Sequence, residues 1–179
     1  MSNLLINKLT SQHGNSITEE ELKEWERKTG YTLPKDYRKF LLQYNGGMIK
    51  PWLFRHDHPE VFGNNQEMLL DHLHDWHSVI ESSYLDIPPD MSSRPPNHIE
   101  IGVDPGGGRI MLSLKSDNNG NVVYWLPTYM EWGVEPNNVL GSIAHSFTEF
   151  LQKLYDDGET EHGKWEVIVS KHPSISLIL

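Results

Sequence analysis

The stretch from Ile17 to Gly47, ITEEELKEWERKTGYTLPKDYRKFLLQYNGG, constrains the fold more than any other part of the chain. It predicts two helices that meet at a Leu-Pro corner and stop at a Gly-Gly pair. Thr18 is a favoured N-cap, and Glu21, three residues on, completes a capping box. Ile17 before the cap and Leu22 inside it form a hydrophobic staple. Leu22 and Trp25 share one face, with Glu and Lys opposite. Gly30 supplies the left-handed residue that ends this helix. Leu33-Pro34 starts the next, since proline loses nothing at the first helical position. Tyr37, Phe40, Leu41 and Tyr44 follow at i, i+3, i+4 and i+7, an apolar stripe that Asn45-Gly46-Gly47 terminates.

The remainder reads as follows. Leu4, Leu5 and Leu9 share a helical face, so a short helical arm is expected before Ser16. Met48 to Phe54 is apolar and aromatic, and Pro51 demotes any strand there to an edge or irregular segment. Arg55 to Asn65 is a polar loop. Gln66 to Ser83 is expected to be helical, with Leu69, Leu73, Trp76 and Ile80 in register. Two Pro-Pro pairs make Ile87 to Asn97 an extended connection. His98 to Leu126 carries alternating apolar residues in three runs, separated by Asp104-Pro105-Gly106-Gly107-Gly108 and by Ser116 to Asn121. Short turns between three strands imply an antiparallel meander. Leu126 to Asn138 is a loop, Val139 to Tyr155 a helix and Trp165 to Val169 a further strand. The terminal SISLIL needs cover. The expected fold is a single α+β domain: a largely antiparallel sheet covered by the two N-terminal helices and a C-terminal helix.

A chain of 179 residues is long enough for one self-sufficient core. Its 15 basic and 25 acidic residues leave a formal charge of -10, which repels nucleic acid and anionic membranes and attracts basic protein surfaces. With no cysteine, disulfides and thiolate chemistry are excluded, which suits a cytoplasmic setting. The N-terminus lacks the pattern of a secretory signal, and no apolar run approaches a membrane span.

Chemistry-bearing residues are plentiful but weakly patterned. His72, His74 and His77 lie near Asp71 and Asp75 at spacings that metal ligands use, yet the His-Glu-x-x-His pattern is absent and a polar surface is the better reading. Gly106-Gly107-Gly108 precedes a strand, not a helix, so it reads as a hairpin turn and not as a phosphate loop. No Gly-x-Ser-x-Gly elbow occurs. No catalytic residue, metal or cofactor is assigned. Trp52, Tyr129 and Trp132 fall in or near loops beside Asp57, Glu60, Glu131 and Glu135. Aromatic anchors ringed by carboxylates are a pattern of protein interfaces, so these seven are the expected partner-binding residues. The competing reading is that each aromatic packs under its loop.

The ordered set Gly30, Leu33-Pro34, Tyr37, Phe40, Leu41 and Asn45-Gly46-Gly47 resembles the signature of the SUKH superfamily. That group includes fungal cell-wall-assembly regulators of the Smi/Knr type and many bacterial immunity proteins. The likeness extends through IEIGVDPGGGRIMLSL, VVYW and the Ser146-Phe147-Thr148-Glu149-Phe150-Leu151 run, where Phe147 and Phe150 match the closing helix. It covers residues 17 to 155. The segment from Trp52 to Asn97 is longer than in compact members, and the region after Asp157 has no counterpart. The resemblance implies a non-enzymatic immunity protein that binds and neutralises a cognate toxin, for which a basic nuclease domain fits the charge. Two alternatives belong to other classes: a regulatory scaffold that binds other proteins, and a small metal-dependent enzyme using the His/Asp clusters. Neither the toxin nor the oligomeric state is readable from the sequence.

Overall fold

A computed structural model describes residues 5–7, 16–57, 67–83, 94–128, 130, 132–135, 137–155 and 175–176. In chain order the elements are β1 (Leu5–Asn7), α1 (Glu19–Thr29), α2 (Lys35–Gln43), β2 (Met48–Lys50), β3 (Leu53–Arg55), β4 (Glu67–Leu69), β5 (His72–Leu73), α3 (Trp76–Ser83), β6 (His98–Val103), β7 (Arg109–Ser113), β8 (Val122–Trp125), β9 (Gly141–Ala144), α4 (Phe147–Lys153) and β10 (Ile175–Ser176). The main sheet runs β5-β6-β7-β8-β9, with every neighbouring pair antiparallel. β1 lies between β2 and β10, and β3 pairs with β4. The fold is α+β, as expected.

The N-terminal helix pair follows its local chemistry closely. Thr18 Oγ1 accepts the Glu21 N–H at 3.3 Å, and Glu21 Oε2 accepts the Thr18 N–H at 2.8 Å. Gly30 closes α1 at φ 76°, and its N–H reaches the Glu26 carbonyl. Pro34 sits one position earlier than expected, as the N-cap of α2. Glu26 fastens this corner, accepting the Leu33 N–H at 2.7 Å while pairing with Arg38. Asn45, Gly46 and Gly47 all take positive φ, which breaks the helix sharply.

Alternation along β6, β7 and β8 sends Ile99, Ile110, Leu112, Val122 and Tyr124 to one face. There they join Leu22, Leu33, Tyr37, Phe40 and Leu41 from the N-terminal pair and Phe147, Phe150 and Leu151 from α4 in one core. Phe147 stands 4.9 Å from the rings of both Tyr37 and Phe40, so the two ends of the family pattern meet.

Three expectations need correction. The arm before Ser16 contains a strand, β1, not a helix. Only Trp76–Ser83 of the expected helix at 66–83 is helical. Leu73 instead exchanges both backbone hydrogen bonds with Gly47, and β5 pairs with β6, so tertiary pairing overrides a helical spacing of leucines. Asp75 then caps α3, accepting the Ser78 N–H at 2.8 Å. The expected helix from Val139 begins only at Phe147, after Ser146 caps it, because Gly141–Ala144 completes the sheet beside β8. Met48 to Phe54 forms two short edge strands parted at Pro51, as the proline implied. Trp165 to Val169 lies outside the described residues. Part of SISLIL is covered by pairing with β1.

Candidate functional site: an acidic cleft between the first and third helices

The expected partner residues are scattered. Trp52 is 6% exposed and belongs to the core, so it is withdrawn as an interface anchor. Asp57 is exposed, and it is tied to β9: its carboxylate accepts the Ser142 N–H and its own N–H donates to the Ser142 carbonyl at 3.1 Å. Trp132 is half-buried, edge-on to Trp125 with ring centroids 6.5 Å apart, and Glu135 is exposed. Glu60, Tyr129 and Glu131 lie outside the described residues. The loop between β8 and β9 is built around buried Asn137. Its side chain accepts the Thr128 N–H and donates to the Met130 carbonyl, leaving Met130 and Val134 50% and 46% exposed.

His72 and His74 meet edge-on with ring centroids 5.1 Å apart, but each of the three histidines is bonded to a carboxylate of its own. His72 bonds Asp71 at 3.0 Å, His74 bonds Glu100 at 3.0 Å, and His77 pairs with Glu81 at 3.2 Å. They no longer share a helix, and among the described residues no group of three His, Asp or Glu side chains is placed to hold a metal ion. The glycine turn is likewise occupied from within. Asp104 Oδ1 accepts the Gly106 and Gly108 N–H groups, and Oδ2 accepts the Tyr124 hydroxyl. Any anion at those amides would displace the chain's own carboxylate.

What the helix pair does build is a cleft of about 730 Å³ between α1 and α3. The Asn-Gly-Gly stop positions it. Asn45 Oδ1 accepts the Trp76 N–H at 2.9 Å, capping α3 from 31 residues away. Gly47 pairs with Leu73, and Gly46 lies so close to the His74–Asp75 backbone that a Cβ would stand 2.5 Å from Asp75 N. The end of α2 is thereby pinned to the start of α3. On the other wall, Trp25 of α1 meets Trp76 edge-on, with ring centroids 5.2 Å apart. These rings, with Ile17 and Ile80, form the apolar part of the lining, and Ile80 is 44% exposed. Glu20, Glu21, Glu24 and Asp75 line the same cleft against one lysine, Lys28. Hydrogen bonds from Thr18 hold the Glu21 carboxyl below the usual carboxylate range, and the Arg27 guanidinium does the same for Glu24. Both therefore remain anionic well below neutral pH. The outer face of α2 has the opposite sign: Lys35, Arg38 and Lys39 surround half-exposed Leu42.

The model of the SMI1 / KNR4 family (SUKH-1) matches residues 16–153, a span that begins at the cleft and ends in α4. The chain belongs to this family. A relative among known proteins is the SPbeta prophage-derived uncharacterized protein YokK of Bacillus subtilis (strain 168), 26% identical, with 78% of this chain and 76% of the relative aligned. Within the SUKH-1 framework, the residues that sequence reasoning took for a helix stop, Asn45-Gly46-Gly47, are also what sets α3 in place. Sequence reasoning missed the cleft because its walls are far apart in the chain. The signal available was a capped acidic helix whose Trp25 sits next to its carboxylates. Among the described residues no helix is long and apolar enough to cross a membrane.

Proposed function

We propose that this SUKH-1 protein is an immunity protein that binds a cognate toxin in the cytoplasm and neutralises it by occupying its working surface. The match to the family over residues 16–153 carries this reading. A net charge of -10 supports it, because toxins that act on nucleic acid hold phosphate with basic clefts, and an acidic inhibitor is steered to such a surface. Among toxin classes, a basic nuclease domain fits best.

The test is growth. The product of the adjacent gene is induced in cells with and without the protein, and growth arrest by it alone is the first expected result. Rescue by the protein, and a complex of the two that survives gel filtration, are expected. Equal growth arrest with and without it, at matched toxin levels, would refute the proposal.

A further inference from the structure

We infer that the cleft between α1 and α3 is the surface that receives the toxin, and that its occupant is a basic segment carrying Lys or Arg on either side of an apolar side chain. This deepens the proposed function and rests on it. The lining has two parts in the right arrangement. Half-buried Trp25 and exposed Ile80, with Ile17, offer an aromatic and aliphatic seat for an apolar group, and Trp76, itself 4% exposed, backs that seat from the core. Glu20, Glu24 and Asp75 surround that seat with negative charge. The volume of about 730 Å³ lies within the usual range of binding clefts, about 300–1,000 Å³.

The carboxylates are already partnered, Asp75 by the Ser78 N–H that it caps. Glu20 pairs with Lys23 at 3.4 Å and Glu24 with Arg27 and Lys28, all on exposed side chains. The single Glu20–Lys23 contact contributes little and is readily exchanged for an incoming cation, whereas Glu24 is held by both Nε and Nη2 of Arg27 and adds its negative charge without giving up that partner. The other exposed apolar positions fit a basic occupant less well. Leu42 is ringed by Lys35, Arg38 and Lys39, which would repel it. Exposed Met130 and Val134 have Glu135 as their described acidic neighbour, against the four carboxylates that line the cleft. The cleft is also the place that the Asn-Gly-Gly element shapes, through the Asn45 cap on Trp76 and the close approach of Gly46.

The probe is a synthetic amphipathic peptide with leucine on one helical face and lysine on the other, titrated into the full chain and followed by NMR. The reporters are the Trp25 and Trp76 indole N–H signals and the Ile80 methyls. Shifts confined to those groups are expected. Binding should weaken about tenfold in the E20K/E24K double variant and should fall as salt rises. Glu21 is left in place because it closes the capping box. K35E/K39E on α2 is the charge control and should not weaken binding; unchanged circular dichroism certifies the folding of both variants.

Shifts that map elsewhere, affinity indifferent to E20K/E24K, or a dimer that seats Ile80 of one copy against another would overturn the inference. So would E20K/E24K protecting cells from the toxin as well as the unaltered protein does; that result leaves the immunity reading intact. If the unaltered protein binds the peptide in the cleft yet fails to protect, the immunity reading falls while the cleft's preference for basic segments stands.

Discussion

Replacing Gly46 with alanine tests whether the Asn-Gly-Gly element is a fastening and not merely a helix stop. Two costs combine. Gly46 has φ 85°, and an L-residue there loses about 1–2 kcal/mol. The added Cβ would also stand 2.5 Å from Asp75 N, 2.6 Å from His74 C and 2.7 Å from His74 O, all backbone atoms. Neither wall can swing aside as a side chain would, so α3 must shift, and overpacking of this kind costs about 1–3 kcal/mol more. The total of about 2–5 kcal/mol lowers the melting temperature by roughly 5–15 °C for a domain of this size. Gly30 provides the internal control. Its φ is 76°, but a Cβ there meets nothing within 4 Å, so Gly30→Ala should lose only the conformational part, about 1–2 kcal/mol. Urea unfolding of both variants, followed by tryptophan fluorescence, gives the difference directly. Near-ultraviolet circular dichroism should change in Gly46→Ala alone, as Trp76 moves against Trp25. Equal losses for the two variants would refute the fastening role.

Three further outcomes follow from buried polar groups. Burial pushes the His98 imidazole from 6.5 down to about 4, so the unfolded chain takes up its proton first. Stability therefore falls as pH drops from about 6.5 towards 4, by roughly 3 kcal/mol when complete, and His98→Asn should remove that slope; an NMR titration of His98 near 6.5 would contradict this. Glu100 is 4% exposed, and although burial raises its carboxyl, His74, Arg109 and Arg94 together hold it below the usual range. Its stabilisation is present above the unfolded value of 4.5 and is lost as pH falls through the lower folded value. Glu100→Gln should cost about 2–4 kcal/mol at neutral pH, measured by urea unfolding, because Arg94 and Arg109 lose their counter-charge. The buried Tyr37 hydroxyl has no hydrogen-bond partner among the described residues, so Tyr37→Phe should change stability by less than about 1 kcal/mol.

The features legible in the sequence were those set within a few residues of themselves. The Thr18–Glu21 box, the left-handed Gly30 and the Tyr37–Phe40–Leu41 stripe all formed as read. So did the three central strands, because their alternation and their turn residues agree. Errors arose where a distant partner decided the backbone. Leu69 and Leu73 have helical spacing, but Gly47 and Gly102 claim Leu73 for pairing. Ile143 lies in register with Phe147 and Phe150, yet it belongs to the strand that closes the sheet against β8. The cleft was hidden for the same reason. Trp25 and Trp76 each read as the core-facing residue of its own segment, and nothing local announces that they meet. Trp52 misled in the opposite direction, since an aromatic beside a polar loop has the same local sequence whether it faces solvent or packs beneath the chain.

As proposed, this SUKH-1 protein acts as a stoichiometric blocker. The most direct test titrates it into a fixed amount of the purified product of the adjacent gene, with that product's toxic activity as the readout. Activity should fall linearly and vanish at one molecule per toxin. Full inactivation by a small fraction of an equivalent would mean catalytic turnover, and undiminished activity at excess would mean no neutralisation; either result rules out stoichiometric blocking.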